Sequence, residues 1–108
     1  MGAKIMRMLP LSNSDDVAWV SDAAYELCRV FTWRLKMSGG IAYVVTSLHA
    51  PGDNRHVIVI RLHRLIMLCF DAAFDVHHID HNILNCEDDN LEIQDALSHR
   101  REHCYGRQ

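Results

Sequence analysis

Residues 76–103 read VHHIDHNILNCEDDNLEIQDALSHRREH and combine many histidines with clear secondary-structure signals. The run VHHID, at 76–80, has the alternation of a half-buried strand, and LEIQ, at 91–94, predicts a second strand. The polar segment 81–90 between them predicts a loop. The segment after the second strand begins with an aspartate, a residue type favoured at helix N-caps, and predicts a helix over 95–104. The order is therefore strand, loop, strand, helix.

Four histidines in this stretch have the spacing of a metal-dependent catalytic site. His99 and His103 are at i and i+4 on the predicted helix, so both imidazoles project from one face and suit a single metal ion. His77 and His78 are neighbours on a strand, where successive side chains point to opposite faces. One of them can bind the metal while the other, as a neutral imidazole, removes a proton from water. The amide of Asn90 or a backbone carbonyl is expected to fix the tautomer of that base.

Two other metal motifs overlap these residues. HRREH at 99–103 matches the H-x-x-E-H pattern of metallopeptidases, but those enzymes take a third ligand from far downstream and only five residues follow here. Cys86, His99 and His103 fit the second part of a C2H2 zinc-finger pattern, with His81 in place of the missing cysteine pair. This match keeps open a non-catalytic, zinc-stabilised ββα module that binds nucleic acid.

The whole stretch 76–103 resembles the signature of HNH endonucleases. In that family a ββα-metal finger presents a histidine from the first strand, an asparagine near the second, and a histidine or asparagine from the helix. Residues 16–33, 42–47 and 62–67 resemble the region before the motif in phage and intron-encoded HNH homing endonucleases. The resemblance implies an α+β fold, in which a small N-terminal antiparallel sheet with short helices leads into a C-terminal ββα-metal finger.

The resemblance also implies a role for each residue of the motif. His78 corresponds to the general base and Asn90 to the asparagine that orients it. His77 and His99 correspond to metal ligands, and His103 matches the additional helix ligand of colicin-type members. Together these histidines imply one divalent metal ion (Zn²⁺, Ni²⁺, Mn²⁺ or Mg²⁺). The chain departs from the family where His81 replaces a common glycine and where residues 86–89, CEDD, replace a more basic stretch.

The activity implied by the resemblance is hydrolysis of DNA phosphodiester bonds, leaving 5′-phosphates. Its partner is DNA, and the expected phosphate contacts are Arg61, Arg64, Arg100 and Arg101. The net charge of −3 is unfavourable for binding a polyanion. The charge is uneven, however, since residues 1–70 carry eight Lys/Arg against five Asp/Glu (+3) and the rest carry three against nine (−6). A nicking enzyme, or a homodimer whose second copy cuts the other strand, fits the short chain.

The 108 residues, of which 49% are hydrophobic, are enough for one core. We therefore expect a single HNH domain over 1–108, with sheet and helix support from about 11–70 and the finger at 75–105. Upstream of the finger, the patterns predict a helix at 14–24, strands at 27–35, 41–47 and 56–60, and a helix at 62–70.

The cysteines and apolar runs indicate the compartment. Four cysteines occur without any C-x-x-C spacing, which is typical of a reducing environment rather than of a disulfide framework. The apolar runs are too short to span a bilayer or to form a secretory signal. We expect a cytoplasmic protein with no membrane partner, and the resemblance suggests a phage or mobile-element origin.

Overall fold

The computed structural model describes residues 5–49, 51–52 and 55–95. Within them the fold is α+β, built from mostly antiparallel strands and two short helices, as expected for the fold class. The elements in chain order are β1 (Met6–Pro10), β2 (Val17–Ser21), α1 (Asp22–Cys28), β3 (Arg34–Ser38), β4 (Ile41–His49), β5 (Val57–Arg61), α2 (Leu62–Met67), β6 (Phe74–His78), β7 (Asn85–Cys86) and β8 (Leu91–Asp95). A single 3-10 turn, Asp88–Asn90, precedes β8.

The strands form three small sheets. β2 is the centre of the first sheet, antiparallel to β1 and parallel to the two-residue strand β7. β4 is the centre of the second, with β3 and β5 antiparallel on either side. β6 and β8 make the third as an antiparallel pair, in which His77 is opposite Glu92 and His78 is opposite Leu91. β8 contains the second strand expected for the finger, at 91–94, whereas β6 lies two residues before the first, expected at 76–80, because residues 79 and 80 form a turn. Residues 96–104 of the predicted helix lie outside the described residues.

The short helix α2 is the centre of the packing. It contacts α1 and strands from all three sheets. Its Leu62 is fully buried and its Leu65 nearly so, and both belong to a single core. That core also contains Leu9, Leu11, Ala18, Val20, Cys28, Trp33, Val44, Cys69, Val76, Cys86 and Leu91. A helix of six residues is not stable alone in water, so α2 exists because its surroundings bury it.

The helix expected at 14–24 is wrong over most of its length. Residues Val17–Ser21 form β2, and the helix begins only at Asp22. The physical reason is pairing on both sides, because β2 bonds to β1 and β7 and alternates its burial, with Ala18 and Val20 fully buried. Ser14, expected to cap the helix, instead accepts a hydrogen bond from the Asp16 backbone N–H at 3.1 Å in a turn.

The strand expected at 27–35 is also wrong in its first part. Residues 27 and 28 end α1, and β3 begins at Arg34. A turn separates them because the buried Trp33 indole donates to the Cys28 carbonyl at 2.8 Å. The strand β1 at Met6–Pro10 was not anticipated, since only Leu9 of its five residues is buried.

The remaining elements agree with expectation except at their ends. β4 covers the strand expected at 41–47, and β5 is shifted by one residue from the strand expected at 56–60. The helix expected at 62–70 stops at Met67 because Leu68 takes a left-handed conformation (φ 51°) and its N–H closes the last turn. Within the expected loop 81–90, residues Asn85–Cys86 form β7 against β2. No helix of the described part is long and apolar enough to cross a membrane.

The central position of α2 predicts a large cost for truncating its buried leucine. Leu62→Ala should lower the free energy of unfolding by about 2–5 kcal/mol, because it removes buried methyl groups and leaves a cavity. Leu27→Ala is the matched control, since Leu27 is on α1 and 45% exposed. Urea denaturation followed by circular dichroism measures both, and equal losses would contradict the central role of α2.

Candidate active site

The two histidines of β6 differ in their surroundings, as strand alternation requires. Val76 and His78 are both buried, while His77 is half-buried. All three line a cavity of about 330 Å³ that is also lined by His63, His81, Tyr43, Arg61, Arg64, Asp75, Ile41 and Ile83. The cavity therefore collects four of the eight histidines and two arginines, and it contains the base and the strand ligand expected from the sequence.

Asn90 holds the loop between β6 and β8 closed. Its Nδ2 donates to Asp80 Oδ1 at 2.9 Å and to the Asn85 carbonyl at 2.8 Å. Its Oδ1 accepts from the Asp80 N–H at 3.1 Å, and its carbonyl accepts from the Ile79 N–H at 2.8 Å. The pKa of the Asp80 carboxyl is lowered mainly by the hydrogen bond from the Asn82 backbone N–H, and the side chains of Asn85 and Asn90 add to this effect. Asn90 thus positions the backbone directly after His78 rather than bonding to its imidazole.

The imidazole of His78 contacts the sulfur atom of Cys86 and the imidazole of His63. Its Nε2 is 3.6 Å from Cys86 Sγ, and its ring centroid is 4.8 Å from that of His63. Burial lowers the pKa of His78, the nearby His77 adds to this, and Asp80 opposes it. The neutral imidazole is therefore the favoured form, which is the form that can accept a proton.

His63 connects this histidine to the second sheet. Its ring stacks on Tyr43 at 6.1 Å with 13° between the planes, and the Arg61 guanidinium lies 3.9 Å from the centroid of the same tyrosine. Burial, followed by the charges of His78, Arg61 and Arg64, lowers the pKa of His63 to about 3. A row of Arg61, Tyr43, His63 and His78 thus runs along the cavity.

The two arginines expected to contact phosphate have different environments. Arg61 contacts Tyr43 and lines the cavity. Arg64 donates to the carbonyls of Cys69 at 3.0 Å and Phe74 at 2.9 Å, and its Nη2 is 3.5 Å from Asp75 Oδ1. Most of the hydrogen-bonding capacity of Arg64 therefore fastens α2 to β6, so Arg61 is the better placed of the two to meet a ligand.

The hairpin formed by β6, β8 and the loop between them carries two nitrogen donors for a metal ion, His77 and His81. Two donors are too few to form a metal site alone. The rings of His77 and His81 are 5.1 Å apart and nearly perpendicular, and both line the cavity. Among the described residues, no group of three or more His, Cys, Asp or Glu side chains is placed to hold a metal ion. The other expected ligands, His99 and His103, and the expected phosphate contacts Arg100 and Arg101 lie outside the described residues.

Sequence reasoning missed two participants of this site, His63 and Cys86. His63 is one position beyond Leu62 and off the apolar stripe of α2, so helical periodicity gave no reason to place it in a site. It is buried because strands enclose α2 on more than one side. The sequence indicated Cys86 only as a zinc ligand. Its contact with His78 arises from the pairing of β7 with β2, which no local sequence pattern predicts.

Burial of a neutral His63 predicts a pH-dependent stability. The unfolded side chain binds a proton near its ordinary pKa of 6.5, whereas the folded one does so only near 3. The free energy of unfolding must therefore fall as the pH is lowered from 6.5 towards 3, by up to about 1.4 kcal/mol per pH unit from this group. His63→Phe should flatten that slope in urea titrations between pH 4 and 7. His49→Phe, at an exposed position, should leave it unchanged, and identical slopes in both variants would refute the assignment.

The contacts of Asn90 predict a local effect on the hairpin. Asn90→Ala removes three side-chain hydrogen bonds and should lower the free energy of unfolding by about 1–3 kcal/mol. Amide hydrogen exchange at Asp80 should become faster, because its N–H loses its acceptor. The control is Asn82→Ala, which removes the Asn82 acceptor of the Leu84 N–H and leaves the Asp80 amide bonded to Asn90. Unchanged exchange at Asp80 in Asn90→Ala would show that Asn90 does not fasten the loop.

No protein-family model, curated protein or solved structure matches this chain. What the site does must therefore be inferred from its own side chains. Those side chains are a buried neutral histidine on a strand, a neighbouring histidine on the other face, and a cavity that they share with Arg61.

Proposed function

We propose that this protein is a metal-dependent DNA endonuclease of the HNH type, which hydrolyses phosphodiester bonds. The observation that carries the proposal is the placement of His77 and His78 on a strand of a hairpin whose loop is held by Asn90, beside a cavity lined by Arg61. The resemblance to HNH endonucleases supports the proposal, because it implies a base, a strand ligand and an orienting asparagine at these positions. Such an enzyme would act on DNA in the cytoplasm of a cell that carries a phage or mobile element.

In this proposal β6 and β8 are the two strands of a ββα-metal finger, and the segment after Asp95 supplies its helix. His77, with His99 and His103, would hold one divalent metal ion. Imidazole ligands favour Zn²⁺, Ni²⁺ or Mn²⁺ over Mg²⁺, which prefers oxygen. When bound, the ion would neutralise negative charge on the scissile phosphate and the leaving oxygen. His81 lies against His77 and is a further nitrogen donor at the same place.

His78 is the general base. It accepts a proton from water, and the resulting hydroxide attacks phosphorus in line with the bond to the leaving 3′-oxygen. The product strand then carries a 5′-phosphate. Asn90 acts through the backbone, because it fixes the turn that follows His78 and so fixes the position from which the imidazole reaches the water.

Arg61 is the residue of the described part that we assign to phosphate binding. Its guanidinium stacks on Tyr43, an arrangement that orients the planar group and leaves edge N–H groups for hydrogen bonds to an anion. Arg64 stabilises the same cavity by bracing α2 against β6. Arg100 and Arg101 remain proposed contacts of the helix segment with the DNA backbone.

The environment of Cys86 favours this proposal over a zinc-stabilised, non-catalytic module. Zinc binds a thiolate, whereas burial, with further contributions from Cys28 and Asp80, raises the pKa of the Cys86 thiol to about 12. The sulfur contacts His78 and the Ile83 carbonyl and belongs to the hydrophobic core. A structural zinc at Cys86 would have to displace these contacts.

The proposal predicts that His78→Ala abolishes nicking of supercoiled plasmid in the presence of Mg²⁺, Mn²⁺ or Ni²⁺. The expected loss is at least about 100-fold, since general-base catalysis contributes on the order of 10² to 10⁴ in rate. Metal binding measured by calorimetry should persist in the same variant, because His78 is not a ligand. His49→Ala serves as the control, with an exposed histidine removed and activity retained.

Two results would refute the assignment. One is nicking by His78→Ala at the rate of the unmodified chain. The other is loss of metal and unfolding of the hairpin in Cys86→Ser, the behaviour expected of a zinc-stabilised module.

A further inference from the structure

Cys86 contributes a buried sulfur atom to the candidate active site. The residue is 1% exposed, and its Sγ is 3.6 Å from His78 Nε2 and 3.5 Å from the Ile83 carbonyl oxygen. We propose that Cys86 is a positioning residue for the general base, whose sulfur accepts a hydrogen bond from Nε2–H of His78 and leaves Nδ1 as the proton acceptor. This inference rests on the proposed function only for its catalytic consequence, because the tautomer itself can be observed without activity.

The assignment follows from counting protons. A thiol has one hydrogen, and a carbonyl oxygen is an acceptor only, so the contact with Ile83 uses the S–H as donor. The sulfur can then only accept from His78. Since a neutral imidazole carries a single N–H, that hydrogen must be on Nε2, and Nδ1 has the lone pair.

The thiol keeps the hydrogen that this count requires. Burial is the main reason that the pKa of Cys86 is raised to about 12, so the group stays protonated at neutral pH. A thiolate would have no hydrogen for the Ile83 carbonyl and would leave that contact repulsive. The geometry and the protonation state therefore agree on one direction for each hydrogen bond.

The sulfur is held by the core rather than by the loop. Cys86 is on β7 and pairs with Val20 of the central strand β2, and both residues are buried in the core. The imidazole of His78 also meets the His63 ring, which is tilted by 41° with 4.8 Å between the ring centroids. The His78 imidazole thus contacts both the Cys86 sulfur and the His63 ring. These contacts limit the rotation of the imidazole and pre-organise it for reaction.

The assignment specifies where the protons go in the reaction. An O–H bond of water breaks, the proton forms a bond with Nδ1, and the oxygen bonds to phosphorus as the bond to the 3′-oxygen breaks. The imidazolium then carries both N–H groups, with Nε2–H still directed at sulfur. It returns the Nδ1 proton to solvent, and the leaving oxygen takes a proton from solvent, so the site ends as it began.

The test combines a tautomer measurement with plasmid nicking. The nitrogen chemical shifts of the His78 ring, measured on ¹⁵N-histidine-labelled protein without added metal at pH 7.5, separate the two neutral tautomers. The unmodified chain should show the Nε2–H form. Cys86→Ala should shift the ring towards a mixture and reduce nicking about 10-fold, the low end for loss of a residue that orients a catalytic group. Cys86→Ser should retain the Nε2–H form and most of the activity, because a hydroxyl can make both hydrogen bonds.

Cys69→Ala is the matched control, since it removes another buried cysteine of the core that has no contact with His78 among those described. It should change neither readout. An Nδ1–H tautomer in the unmodified chain, or unchanged shifts and nicking in Cys86→Ala, would overturn the inference. If the unmodified chain does not nick DNA, while its Nε2–H form is present and is lost in Cys86→Ala, the positioning contact stands and the proposed function falls.

Discussion

The contact of Arg64 with the start of β6 is the constraint on which the site depends. A single guanidinium on α2 donates to the carbonyls of Cys69 and Phe74 and approaches the Asp75 carboxylate. Hydrogen bonds from a charged donor are among the stronger ones in proteins. They hold β6, the strand that carries His77 and His78, against α2. That helix is too short to be stable alone. Without this link, the third sheet would be joined to α2 mainly by apolar packing.

Because the helix is fixed, the histidine that it carries is fixed as well. His63 follows Leu62, the most buried residue of α2, and its ring therefore lies against His78. Cys86 also contacts His78, because its strand β7 pairs with the central strand β2. The three sheets therefore meet at this place: His78 is on the third sheet, Cys86 is on the first, and Tyr43 of the second stacks on the His63 ring.

The sequence predicted those elements whose local hydrophobic pattern matches the secondary structure that they adopt in the fold. β4, β5 and β8 are β-branched or alternating runs, and they form strands where expected. The segment Val17–Ser21 was misassigned because its apolar spacing suits either a helix or a strand, and pairing with β1 and β7 decided it. A motif in the sequence indicates His78 as a candidate base. The contact of Cys86 with it depends instead on the parallel pairing of Val20 with Cys86, 66 residues apart, which no local sequence pattern indicates.

The basic part and the acidic part of the chain both contribute residues to the cavity. Its arginines, Arg61 and Arg64, come from the part of the chain with a net charge of +3, while the hairpin with His77 and His78 comes from the part with −6. The cavity therefore forms where the two parts meet. A phosphate entering it would meet the guanidinium groups of Arg61 and Arg64 and also the Asp75 carboxylate, and a metal ion bound on the side of His77 would offset the acidic residues around it. Net charge alone therefore does not describe the electrostatics of this location, because interactions between exposed charges are screened over about 8–10 Å.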